Sequence, residues 1–106
     1  MRDFFDNVAV AMTVCDLEGR VVYQNNRAIE ALGDAREHNL KECHKNSSWE
    51  KIQEMIAQGS TNAYTIEKKG VRKLIYQTPW YDNGAVAGLV EYSIVLPPDM
   101  PHKVRG

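Results

Sequence analysis

The run Val14-Cys15-Asp16-Leu17-Glu18-Gly19-Arg20-Val21-Val22-Tyr23-Gln24-Asn25-Asn26-Arg27-Ala28-Ile29-Glu30-Ala31-Leu32-Gly33 constrains the fold more than any other part of the chain. Two short β-branched stretches flank Asp16 to Gly19, where Asp and Gly supply turn chemistry, so the pair reads as a hairpin. Asn25 then offers a side-chain oxygen to the first free amides of a helix whose inward residues are Ala28, Ile29 and Leu32. Gly33 stands where a helix commonly ends in the left-handed conformation.

On either side of this run the elements are simpler. Phe4, Phe5 and Val8 fall at helical spacing, which predicts a lead-in helix over residues 1–9 whose apolar side must be covered, by the domain or by a second copy. Val10 to Cys15 and Arg20 to Gln24 are the expected first strands, and residues 34–46 are polar and weakly periodic. Ser47-Ser48-Trp49-Glu50 matches a capping box opening a helix with Trp49, Ile52, Met55 and Ile56 inward and Gly59 at its end. Asn62 to Lys68, Val71 to Trp80 and Ala85 to Leu96 then form an antiparallel meander across the turns Lys69-Gly70 and Asp82-Asn83-Gly84. The prolines of Pro97-Pro98-Asp99-Met100-Pro101 stop further pairing, which makes residues 97–106 a Pro-rich tail or linker. The expectation is one α+β domain over residues 1–96: a five-stranded antiparallel sheet with helices packed on one face.

At 106 residues the chain is long enough to fold around a single core without disulfides or metals. Thirteen basic and fourteen acidic side chains leave a formal charge of −1, and no basic run follows a phosphate backbone or an anionic bilayer, which argues against nucleic acid or membrane partners. Asp3 and Asp6 stand where a signal peptide would be basic and then apolar, so the sequence reads as cytoplasmic. The two cysteines, Cys15 and Cys43, lack Cys-x-x-Cys spacing, and Cys15 reads as a small core residue. A nucleophile elbow, a phosphate-cradling Gly loop and a metal signature are all missing, so no enzyme activity is expected.

From about Phe5 to Leu96 the order of elements and the residues resemble the PAS domain family. Asp16-Leu17-Glu18-Gly19-Arg20 followed by Tyr23 and Asn25 is similar to that family's first hairpin, and Asp82-Asn83-Gly84 with Gly88 is similar to the hairpin feeding its last strand. Asn39-Leu40-Lys41-Glu42-Cys43-His44-Lys45-Asn46-Ser47 resembles a bacterial subgroup with Cys-His-Pro-Pro-x-Ser ahead of the long helix, Lys45 and Asn46 replacing both prolines. The resemblance implies a sensory or signalling domain, acting in pathways such as regulation of transcription. It would bind a small molecule between sheet and helices, as a homodimer or through an attached output domain. For the subgroup it implies haem as a cofactor.

The cofactor-binding candidates are Cys43, His44, Trp49, Met55, Tyr76 and Tyr92, with His44 as the metal ligand. An imidazole of His44 or a thiolate of Cys43 would suit haem iron, though a loop residue with a turn or capping role is the stronger reading of each. Zinc held by His38, Cys43, His44 and His102 is a longer reach, and the light-oxygen-voltage flavin reading fails because Asn39 and Cys43 are not adjacent. Tyr76, Trp80 and Tyr92 are expected to build the core wall, or to contact a ligand. Glu91 is expected to face solvent or to meet Arg72 or Lys73 across the hairpin. A different reading is a ligand-free interaction module in which Met12, Trp49 and Met55 fill the pocket.

Overall fold

The computed structural model describes residues 4–34 and 46–106. Among the described residues the elements are, in order, β1 (Ala11–Asp16), β2 (Val21–Gln24), α1 (Asn26–Leu32), α2 (Asn46–Gln58), β3 (Asn62–Lys68), β4 (Val71–Asp82) and β5 (Ala85–Leu96). The strands form one antiparallel sheet of order β2-β1-β5-β4-β3. The first and last strands therefore meet in the middle, and the helical crossover leaves β2 and β3 as the edges.

Turn chemistry sets the hairpins. Between β1 and β2 the Asp16 carboxylate accepts from the amides of Glu18 and Arg20, each at 2.9 Å, which replaces backbone partners lost in the turn. At Asn83-Gly84 both residues take positive φ, 52° and 82°, the twist a two-residue hairpin needs.

Asn25 carries out more than helix capping. Its Oδ1 accepts from the amides of Ala28 and Met12, both at 3.0 Å, while its Nδ2 donates to the carbonyls of Val10 (2.7 Å) and Phe5 (2.9 Å). With its backbone amide also donating to Met12 O, this fully buried residue joins the lead-in, β1 and α1. The lead-in is corrected accordingly. The described part of the helix expected over residues 1–9 consists of turns and bends, because the carbonyls of Phe5 and Asp6 are held by Asn25 and Asn26 instead of by amides four residues on. The Tyr23 hydroxyl also donates to Asp6.

Helix boundaries differ in two places. The span of α2 includes Asn46, so Ser47 and Ser48 fall inside the helix instead of before it. Gly33 has positive φ but an extended ψ of 162°, so α1 ends by leading straight out instead of in a left-handed helical residue.

The core lies under α2, where Trp49, Ile52 and Met55 pack on Cys15 and Leu89, with Ile56 alongside. Burial pushes the Cys15 thiol up to about 11, a backbone hydrogen bond from Leu89 offsets part of the rise, and Asp16 and Glu91 add to it. On the other side of the same strands Trp80 Nε1 donates to the Cys15 carbonyl at 2.9 Å, passing over Gly88. A Cβ at Gly88 would stand 1.9 Å from that carbonyl oxygen and 2.5 Å from the indole nitrogen, so no side chain fits there.

These contacts set expected outcomes at Asn25, Gly88 and Cys15. Asn25→Ala should cost about 3 kcal/mol in urea denaturation, since it strands two buried donors and two acceptors. Asn25→Asp, a good helix cap, should cost at least as much at pH 7 because its carboxylate faces two carbonyls, with the gap to alanine narrowing as pH falls towards about 4 and a proton returns. Gly88→Ala should cost about 3 kcal/mol and shift tryptophan emission as the Trp80 bond breaks. In a Cys43→Ser background the folded Cys15 thiol should react with dithionitrobenzoate at pH 8 about 100-fold more slowly than an ordinary cysteine. Because its folded value lies above the unfolded 9.0, the folded state holds the proton longer, and stability should fall as pH rises from 9 towards 11.

Candidate functional site

The sheet's two faces separate the residues singled out in the sequence. Cys15 and Leu89 face α2, so by alternation Thr13, Glu91 and Ser93 share the helix side, while Met12, Val90, Tyr92 and Ile94 face outward. Tyr76 is opposite Tyr92, with ring centroids 6.5 Å apart and planes tilted by 56°. Tyr76, Trp80 and Tyr92 thus belong to the outer face, which corrects the expectation that they wall the core. Tyr76 and Tyr92 cannot share a pocket with Trp49 and Met55. Those two are buried together beneath α2 as expected. Cys43, His44 and His38 lie outside the described residues, and His102 sits in the exposed carboxy-terminal segment.

One row on the helix side is polar in every strand. Register places Gln24 opposite Thr13, Thr13 opposite Glu91, Glu91 opposite Gln77, and Gln77 opposite Asn62, from β2 to β3. Gln24, Thr13 and Gln77 are buried, and Glu91 and Asn62 are half-buried. Asn62 Nδ2 donates to Gln77 Oε1 at 3.1 Å, and Gln77 Nε2 donates to Glu91 Oε1 at 2.7 Å. The carboxylate fixes the direction of this chain, since an acceptor at Glu91 requires the Gln77 amide to turn its nitrogen inward and its oxygen to Asn62. Gln24 anchors the far end on the Gly33 carbonyl at 3.2 Å.

Glu91 does meet a partner across the hairpin, but that partner is the Gln77 amide instead of a cation: among the described residues no cation pairs with it, and Arg72 pairs with Glu67 at 3.8 Å. Beside it run an apolar row, Cys15 and Leu89, and a mixed one of Ala11, Ser93, Ile75 and Tyr64. The Tyr64 hydroxyl is held above its ordinary value by partial burial and by the charge of Glu91. The row presents acceptors and a negative charge to whatever approaches from the helix side. A separate cleft of about 300 Å³ lies at the β3–β4 turn, lined by Glu67, Arg72, Val95 and Pro97 among others, away from this row.

Sequence reasoning named Glu91 but missed Gln77, Asn62, Thr13 and Gln24. The available signal was parity: Gln77 falls between Ile75 and Pro79 on a face otherwise buried. Among the described residues no group of three or more His, Cys, Asp or Glu is placed to hold a metal ion, and no helix is long and apolar enough to cross a membrane.

Solved structures share this architecture at low sequence identity. The C-terminal domain of a Streptococcus mutans protein superposes with a TM-score of 0.73 at 16% identity, covering 88% of this chain and 80% of that one. The PAS domain of the histidine kinase ThkA gives a TM-score of 0.66 at 14% identity, covering 80% of this chain and 97% of that one. Vibrio cholerae VqmA, described as a LuxR-type receptor dimer, gives 0.69 at 18% identity, with 95% of this chain matched to 52% of that one. Among curated proteins no sequence match was found. The family model described as PAS domain matches residues 1–61, which span the Asn25 junction, β1, β2 and both helices. On that match and this fold, the chain belongs to the PAS domain family.

Proposed function

We propose that this PAS domain is a sensory module that receives a small polar organic molecule on the helix side of its sheet, against Glu91, Gln77 and Asn62, and relays occupancy through a homodimer. The observation that carries the reading is a hydrogen-bonded polar row on the face that an ordinary core would make apolar. Such a row is costly to bury and adds little to stability, but it supplies the few directed hydrogen bonds a small-molecule site needs. The outer face, with the tilted ring pair of Tyr76 and Tyr92, suits the dimer or output contact. The reading assigns binding and relay to this chain, and no catalysis.

Two related structures bear on the ligand. VqmA is described as bound to DPO, and the Aer2 receptor of Vibrio cholerae as a dual PAS-haem oxygen sensor. The described residues fit haem poorly: Cys15 is packed in the core as a protonated thiol, His102 lies in the tail, and the helix side turns a carboxylate where a porphyrin face needs apolar surface. A second reading, a ligand-free interaction module, draws on the close packing of Trp49 and Met55 against Cys15 and Leu89, which leaves the space beneath α2 filled.

Mass spectrometry of the small molecules released on denaturing natively purified protein separates these readings. One compound near equal stoichiometry is expected from the wild type and not from Gln77→Leu, and re-adding it at 100 times its dissociation constant should raise Tm by at least about 5 °C. Sedimentation of the same samples reports the dimer. Empty extracts, with no thermal shift on adding DPO or haemin, would favour the interaction module.

A further inference from the structure

Resting on that reading of the helix-side face, we infer that the ligand presents a hydrogen-bond-donating nitrogen cation, such as an amine, an amidine or a protonated nitrogen heterocycle, to the free oxygen of Glu91. Glu91 Oε1 is taken by Gln77, while Oε2 has no partner among the described residues. Since no enclosed side-chain oxygen or nitrogen among the described residues is left unpaired, Oε2 is open to an incoming group.

The surroundings leave that oxygen as a pure acceptor. Gln77 and Asn62 cannot turn to offer it a donor, because the Glu91 bond already commits both amides to one direction. No described cation pairs with it either. Lys73, the nearest lysine on that face of β4, stands two rows along, about 13 Å of strand from Gln77. A half-buried carboxylate without a cation costs free energy that an incoming nitrogen cation would recover, whereas an anionic ligand would add to it. Ile75, Ala11 and the Tyr64 ring supply apolar surface one row further, so the nitrogen should be borne on a flat or aliphatic body a few atoms long. The same charge that raises Tyr64 acts on anything lodged between them.

Benzamidine, benzamide and benzoate are matched probes, alike in shape and differing in charge. Nitrogen-15 NMR titration should show benzamidine perturbing the amides of Thr13, Gln77 and Glu91, at least tenfold more tightly than benzamide, with benzoate not binding there. Glu91→Gln, which keeps an acceptor for Gln77 and so the fold, should abolish the preference. Equal binding of benzamide or benzoate at the row, or benzamidine affinity indifferent to Glu91→Gln, would overturn the ligand class and leave the site standing. If none of the three perturbs the row while the spectrum stays dispersed, both the class and the helix-side site fall.

Discussion

The arrangement depends on one amide. Asn25 sits where three parts of the chain converge, and each of its side-chain bonds satisfies a backbone group that secondary structure leaves open: two amides at element starts, two carbonyls in the lead-in. No other residue type does this, because only a side-chain amide of that length offers an acceptor and two donors in one plane. Without it, α1 would lose its cap, the lead-in the bonds that hold its Phe5 and Val10 carbonyls, and the Met12 amide its partner at the start of β1. The helix-side face owes its shape to that junction, since α1 is held over β1 and β2 by it.

Against this fixed frame the sheet divides its inner surface into bands. The Cys15–Leu89 band is apolar and covered by α2, and supplies the hydrophobic stabilisation a domain of this size needs. The band beside it exchanges that contribution for hydrogen bonds whose net worth is about 1 kcal/mol each, so it adds less to cohesion than its neighbour. A polar band and an apolar core thus lie next to each other on the same strands.

Much of the fold was legible in the chain. Asp16-Leu17-Glu18-Gly19, Lys69-Gly70 and Asn83-Gly84 mark the hairpins by local rules, and the spacing of Trp49, Ile52, Met55 and Ile56 marks α2. The site was less so, for a reason found at one position. Counting back from Asn83-Gly84 puts Gln77 opposite Val90 and Tyr76 opposite Glu91, whereas a bulge between Trp80 and Tyr81 shifts the pairing by one residue and brings Gln77 to Glu91 and Tyr76 to Tyr92. That slip turns an unremarkable strand into a polar row on one face and an aromatic pair on the other. The lead-in failed as a helix because its carbonyls are claimed by Asn25 and Asn26 from elsewhere in the chain, a long-range competition that local spacing does not register.

Gly88 makes the sheet thin at one point. Trp49 belongs to the cluster around Cys15 and Leu89 on the helix side, and the indole of Trp80 reaches the Cys15 carbonyl from the other side, so only a backbone's thickness separates what the two tryptophans touch. That carbonyl is a coordinate shared by both surfaces: a tilt of α2 that moves Cys15 must stretch or bend the Trp80 bond. The outer face and the helix side are therefore tied to one backbone carbonyl in the middle of the sheet.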